Sequence, residues 1–366
     1  MQLSHLRPAL LSLIIATLFA GSALAQPEGT STAPAELRLH HFPNRDSFRV
    51  QGLAWFNENS PQLWRMPVRE MNSLPKGVQN RSRCPSGARI VFRSNTTRLA
   101  IRLESSDSAA VKAVDAFIDG QPGESSFTRR TDQQAELLLF DHQKAAAKDI
   151  TIYLPHGQEV IVTALGLDSG ATIEPVQHTF ARPLPVVYYG SSVCQGSGAV
   201  HPGQTYPAIL SRELNLDFIN LGFGGAGKAE PNVVALVNSI HASGYVFDLG
   251  KSYGDQDATA FRNMLQTVRA SHPETPIVVI TPITSIKETN ERDYSKRSVH
   301  TRTVMRDPVN ELIQAGDKRL FLVEGEDLLG FQDHALLSKD GVHPSDTGYA
   351  LIASRLAPTL KSALGL

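Results

Sequence analysis

Pro185-Val186-Val187-Tyr188-Tyr189-Gly190-Ser191-Ser192-Val193-Cys194-Gln195-Gly196 is the stretch on which the reading of this chain turns. Apolar residues run without a break between the proline and the glycine. Such a run reads as a strand buried on both faces, over 185–189. The glycine then lets the chain turn sharply into Ser191 and Ser192. Downstream, strand and helix alternate. Helical patterns cover 206–214, 233–240, 258–270 and 302–315, and strand patterns cover 218–221, 245–249, 276–281 and 320–323. A closing helix runs from 347 to about 360, with Pro358 leaving its end open. Alternating β and α elements with nearly continuous apolar strands predict a parallel sheet covered by helices on both faces.

Upstream the pattern is different. Residues 38–174 carry short alternating runs between turn residues: 88–93, 99–103, 114–118, 135–140, 149–154 and 159–165. Asp119-Gly120 after the third run is a hairpin signal. Strands at this spacing with little helical periodicity predict an all-β sandwich. Residues 175–184 are proline-rich and read as a linker, which makes 185–366 a second domain. Residues 26–37, rich in Pro, Ser, Thr, Gly and Ala, read as a flexible leader.

Residues 1–25 stand apart. His5 and Arg7 precede an apolar run over 9–20, and Ser22-Ala23-Leu24-Ala25 supplies a small-residue cleavage pattern. This reads as a signal peptide, with the mature chain starting near Gln26 and exported to a periplasmic or secreted location. An uncleaved anchor is the alternative, but the run is short of the ~18 residues a spanning helix requires. No stable membrane insertion is expected after cleavage. The net charge of −1 offers no basic excess to neutralise a phosphate backbone, so nucleic acid is not an expected partner. Two cysteines, Cys84 and Cys194, do not make a disulfide framework and, without a histidine cluster, give no metal site. They are expected to stay unpaired.

Three segments carry chemistry, and each falls after a strand, where doubly wound sheets form their sites. Ser192 sits on the strand-to-helix turn, where a helix N-terminus favours developing negative charge. Taken alone, it is equally consistent with a helix cap. Asp340-Gly341-Val342-His343-Pro344 places a carboxylate and an imidazole three residues apart, so that one ring nitrogen can be held while the other takes a serine proton. Alone, this pair reads equally as a capping aspartate and a surface histidine. Asn220-Leu221-Gly222-Phe223-Gly224-Gly225-Ala226-Gly227 can present backbone N–H groups to an oxyanion. A nucleotide loop is the competing reading, but the dinucleotide fingerprint belongs after the first strand and needs an acidic partner that is lacking.

In this order, the segments resemble the SGNH (GDSL-like) hydrolase family over roughly 184–363. The Gly190-Ser191-Ser192 turn is similar to its first block, with Ser191 where the family usually has Asp. Gly225 matches the second-block glycine, and Asp340 and His343 the fifth block. The resemblance implies a flavodoxin-like three-layer α/β domain with a parallel sheet. The β domain before it, a jelly-roll-like sandwich, resembles the accessory domain of a subgroup whose Asp-Leu-Tyr signature is loosely met by Val114-Asp115-Ala116-Phe117. Cys194 stands where the family commonly has a Thr packed under the turn. One block departs: the family's Gly-x-Asn is here Gly250-Lys251-Ser252, so Ser252 replaces an amide that donates to the oxyanion.

The resemblance implies a serine esterase: Ser192 as nucleophile, His343 as base, Asp340 as its orienter, and an oxyanion hole from the N–H groups of Ser192 and Gly225 with Ser252, Lys251 or a backbone group completing it. No cofactor and no metal are implied. The implied partner is a small-molecule or polysaccharide acyl ester, with acetyl groups on a carbohydrate favoured. A lipase or thioesterase for longer chains and an inactive carbohydrate-binding relative are the alternatives. Trp55 and Trp64 are expected to pack in a core or domain interface rather than on sugars, and His241 and His334 to lie at the surface.

Overall fold

The structure, a computed structural model, describes residues 37–44, 47–105, 113–126 and 134–366. The expected signal peptide and nearly all of the leader lie outside the described residues. Strands β1 (Arg38–His41), β2 (Arg49–Gln51), β3 (Arg89–Ser94), β4 (Leu99–Ser105), β5 (Val114–Ile118), β6 (Gln121–Ser126), β7 (Gln134–Phe140), β8 (Lys148–Tyr153) and β9 (Val160–Leu167) form two antiparallel sheets. Their orders are β1-β9-β4-β7 and β2-β3-β8-β5-β6. Alternation sorts the side chains: Leu137 and Leu139 are buried while Leu138 between them is exposed. The inward residues of both sheets, among them Phe92, Ile101, Ala116 and Ile152, share one core, as a sandwich requires. Asp119 and Gly120 both take positive φ and close the β5–β6 hairpin as their sequence predicts.

Strands β10 (Val186–Gly190), β11 (Phe218–Gly222), β12 (Gly244–Asp248), β13 (Ile277–Ile280) and β14 (Leu320–Val323) form a parallel sheet of order β11-β10-β12-β13-β14. That is the doubly wound order whose switch point lies beside β10. Val187 and Tyr189 face one apolar layer with helices Pro231–Asn238, Thr259–Ser271 and Arg292–Gln314. Val186 and Tyr188 face the other, with helices Tyr206–Glu213 and Asp346–Leu364. Both faces are thus buried, which explains the unbroken apolar strands.

Two helices depart from expectation. The one expected over 302–315 begins ten residues earlier, at Arg292, and holds Pro308 in its interior. Its first half hides from a hydrophobicity reading because its inner face is polar: Ser298, Thr301 and Arg302 are buried there and bond to carbonyls, including Gly254 O and Pro282 O. The closing helix likewise runs through Pro358 to Leu364. The segment between β2 and β3 shows no helical periodicity in the sequence, yet it is partly helical. It contains the helix Lys76–Ser82 and a 3-10 turn, Val68–Ser73.

That segment matters because it leaves the sandwich. Met66, Met71, Leu74 and Val78 pack into the same core layer as Val187, Tyr189 and Leu221 of the parallel sheet, with Trp55 and Trp64 against them. Packing, not sugar stacking, therefore accounts for both tryptophans. β11 is an edge strand, and its outward carbonyls need donors. Arginines from the N-terminal part supply them: Arg89 donates to Phe218 O at 3.2 Å, and Arg65 to Asn220 O at 3.0 Å and Gly222 O at 2.6 Å.

Asp115, within the Val114-Asp115-Ala116-Phe117 signature, is another tie. It is buried, and its Oδ2 accepts the Gly203 N–H at 2.7 Å. Asp115→Ala would leave that amide unsatisfied in a dry interface, a loss of about 1–3 kcal/mol. The expected result is a lower urea midpoint at unchanged m-value; a midpoint equal to that of the unsubstituted protein would show the tie carries no stability.

Candidate active site

β10 ends at Gly190, where a Cβ would lie 1.8 Å from the Asp248 carbonyl oxygen. Only glycine permits this approach of the strand ends, and it fixes where the next residues emerge. Ser191, buried and extended, donates its N–H to Asp248 O at 3.0 Å. Ser192 then starts the short helix Ser192–Gln195. Its N–H is one that the helix itself cannot use, and it has no hydrogen-bond partner among the described residues.

The loop before the closing helix carries the partner groups. Asp340 Oδ1 accepts the N–H groups of Val342 at 2.8 Å and His343 at 2.9 Å and the Ser338 hydroxyl at 3.0 Å. Its Oδ2 lies 2.6 Å from His343 Nδ1, and His343 Nε2 lies 2.9 Å from Ser192 Oγ. With Nδ1–H donated to the carboxylate, Nε2 is left to accept the serine proton. Burial pushes the Asp340 carboxyl up, but the hydrogen bonds from the His343 ring and from the His343 and Val342 amides outweigh it and hold the carboxyl well below the usual range. The carboxylate thus stays ionised beside the imidazole. Gly198 lets this loop lie against the nucleophile turn, since a Cβ there would come within 2.5 Å of Pro344 O and 2.8 Å of His343 Cβ.

Ser192 and His343 line a cleft of about 390 Å³ together with Gly225, Lys251, Ser252 and Tyr294. Gly225 has φ +74°. Its neighbour Gly224 gives its N–H to Gln195 Oε1 at 2.6 Å, while the Gly225 N–H has no protein partner among the described residues. The Ser252 hydroxyl likewise has no hydrogen bond among them. Four of the expected residues, Ser192, Gly225, Ser252 and His343, thus line one cleft, and Asp340 bonds to His343.

Sequence reasoning missed several groups around it. Gln195 is oriented by donating from Nε2 to His156 O at 2.8 Å, which frees Oε1 for Gly224. Lys251 Nζ lies 2.6 Å from Glu288 Oε1, close but poorly directed as a hydrogen bond, and Glu288 also holds Arg302 at 2.8 Å. Burial pushes the Lys251 ammonium down to about 8, against the opposing pull of Glu288. Behind the turn, burial raises Asp248 to about 7, with the Tyr206 hydroxyl at 3.2 Å pulling the other way. The sequence offers Lys251 for the oxyanion hole, but its pairing with Glu288 and the roles of Gln195 and Asp248 have no local mark, because the partners come from distant segments. His334 is partly exposed, with Nε2 3.1 Å from Thr284 Oγ1. Cys84 and Cys194 are both buried, and no disulfide joins the two. Burial, with Asp248 nearby, raises the Cys194 thiol far above its ordinary value, which keeps it neutral beside Ser192. Among the described residues no cluster of three His, Cys, Asp or Glu is arranged to hold a metal ion.

A doubly wound sheet with a hydrogen-bonded serine, histidine and aspartate beside its switch point defines a class, the α/β proteins that place their site at the carboxyl ends of the strands. Residues 184–361 match the GDSL-like lipase/acylhydrolase family and residues 40–173 match the N-terminus of the SGNH-type esterases; the chain belongs to this family, whose members are carboxylic ester hydrolases. Among solved structures, it is similar to a protein described as a GDSL-like lipase from Bacteroides ovatus (23% identity, 90% of this chain and 98% of that one, TM-score 0.78). A salicylyl-acyltransferase from a tetracycline biosynthetic pathway matches at 23% identity, with 90% and 98% coverage and TM-score 0.75. An acetyl xylan esterase from Butyrivibrio proteoclasticus matches at 14%, with 90% and 99% coverage and TM-score 0.59. At these identities the likeness is one of fold. No curated protein matches the chain in sequence.

The raised Asp248 carboxyl has a consequence for stability. In the unfolded chain it titrates near ~3.9, whereas in the fold it titrates near 7. Between those values the folded state holds the extra proton, so this group makes stability fall as pH rises across that window. Asp248→Asn removes the slope and keeps an acceptor for Tyr206. Relative to the unsubstituted protein, its urea midpoint should improve from pH 5 to pH 8; an unchanged difference between the two pH values would mean that Asp248 ionises normally.

Proposed function

We propose that the protein is a serine esterase that removes short acyl groups, acetyl foremost, from a carbohydrate. The observation that carries the reading is the continuous relay from Ser192 Oγ through the His343 ring to Asp340, at 2.9 and 2.6 Å. In this mechanism His343 Nε2 takes the Ser192 proton as Oγ attacks the acyl carbonyl. Asp340 holds the ring and stabilises the imidazolium. The Ser192 and Gly225 N–H groups, with the Ser252 hydroxyl, face the oxyanion. His343 then gives its proton to the leaving alcohol, and water, activated by the same ring, clears the acyl-enzyme. The carbohydrate is supported by two relatives in fold, an acetyl xylan esterase and a carbohydrate esterase bound to cellohexaose. The pattern of residues 1–25 supports export.

Ser192→Ala should lower kcat on p-nitrophenyl acetate by at least about 10⁴-fold with the fold intact; activity within tenfold of the unsubstituted enzyme would sink the assignment. A chain-length series should peak at acetate, and a maximum at octanoate or longer would point to a lipase instead.

Ser252 gives a separate test. Ser252→Ala should lower kcat with KM little changed, since its bond is to charge that appears only in the transition state. The expected loss is about 2–4 kcal/mol in the barrier if the hydroxyl is well aimed. Ser252→Asn, restoring the family's residue, should keep or raise the rate. An unchanged kcat in Ser252→Ala would shift the role to Lys251 or to the Gly225 and Ser192 amides alone.

A further inference from the structure

Arg65 is an arginine from the N-terminal part of the chain, yet it ends beneath the loop that carries Gly225. It is 1% exposed, and no carboxylate pairs with it among the described residues. Backbone carbonyls alone satisfy it. Nε donates to Cys84 O at 2.7 Å and Nη2 to Arg81 O at 2.6 Å, while Nη1 divides between Asn220 O at 3.0 Å and Gly222 O at 2.6 Å. The guanidinium carbon stands 4.8 Å from the centre of the Phe223 ring. A buried cation without a counter-ion is costly, and burial lowers this guanidinium to about 10. Covering an edge strand does not require that cost. A cation placed where negative charge develops nearby would recover part of it during the reaction.

The loop is held from several sides by the same region. Gly222 O, the last carbonyl of β11, is fixed by Arg65, and Gly224 O accepts from Arg81 Nε at 3.2 Å. Gln195, which takes the Gly224 N–H, has its own backbone carbonyl bonded by Ser86 Oγ at 2.6 Å. With Gly222 and Gly224 tied on either side of Phe223, the next amide, that of Gly225, is left free on the cleft.

Resting on the esterase reading above, we propose that Arg65 is a positioning residue for the oxyanion hole, so that the N-terminal part of the chain completes the active site rather than merely accompanying it. Arg65 sets the path of Gly222–Gly225 and thereby the aim of the Gly225 N–H. It touches neither substrate nor the reacting atoms, and acts through the loop.

The test uses the full chain with Arg65→Lys and Arg65→Met, assayed on p-nitrophenyl acetate, with circular dichroism and thermal unfolding to establish folding. Lysine keeps the charge but cannot reach four carbonyls from one planar fork. A folded Arg65→Lys should show kcat reduced by about 10- to 100-fold, with KM within about threefold, the signature of a misaimed oxyanion donor. Arg65→Met, if folded, should be slower still. A folded Arg65→Lys with kcat within threefold of the unsubstituted enzyme, or with its loss confined to KM, overturns the proposal. Should neither variant fold, Arg81→Ala decides, because Arg81 is exposed and holds Gly224 O of the same loop. A kcat reduced at least fivefold then supports the proposal, and an unchanged kcat overturns it. Labelling of the unsubstituted enzyme by diethyl p-nitrophenyl phosphate, mapped to Ser192 by mass spectrometry, separates the two readings. Absence of that label would refute the esterase reading itself, whatever Arg65 does.

Discussion

The rest of the site depends on one steric constraint, the backbone-to-backbone contact at the end of β10. Gly190 lies so close to the Asp248 carbonyl that no side chain fits between them. That contact brings β10 and β12 together at the switch point and lets Ser191 N bond to Asp248 O, which in turn starts the short helix at Ser192. A second contact of the same kind, at Gly198, seats the Asp340–His343 loop against the turn. The hydrogen-bond distances of the relay follow from these two approaches, because neither side chain could reach across a wider gap.

Electrostatics divide the site into two regions. On the cleft side, Asp340 is surrounded by donors and stays ionised. Behind the turn, Asp248, Cys194, Tyr188 and Tyr206 are packed where burial raises every one of them, so all favour their neutral forms. Ser192 therefore stands between a charged carboxylate–imidazole pair on one side and neutral, buried groups on the other. The Lys251–Glu288–Arg302 cluster adds buried positive charge along the neighbouring wall of the cleft.

The two halves of the chain are less separate than their sequence patterns suggest. The sandwich has its own core, but residues 64–86 depart from it to cover one face of the parallel sheet and to satisfy the open edge of β11. A short-range reading of periodicity does not detect such a segment. Its apolar residues look irregular because they answer to a surface contributed by residues more than a hundred positions later.

What the sequence by itself determined was whatever local chemistry dictates. Unbroken apolar runs specified strands buried on both faces, alternation specified the sandwich, and Asp119-Gly120 specified its hairpin. Glycines near Ser192 and around Gly225 marked turns at the ends of the first two parallel strands, where a doubly wound sheet gathers its chemistry. The tertiary structure alone decided which groups meet. The 2.9 Å contact of Ser192 with His343 joins residues 151 positions apart. The clamp of Arg65 on Gly222, the Glu288 pair and the polar inner face of the helix Arg292–Gln314 have no local signature either. Their stability comes from burial shared between distant segments, and burial is a property of the packed chain rather than of any stretch of it.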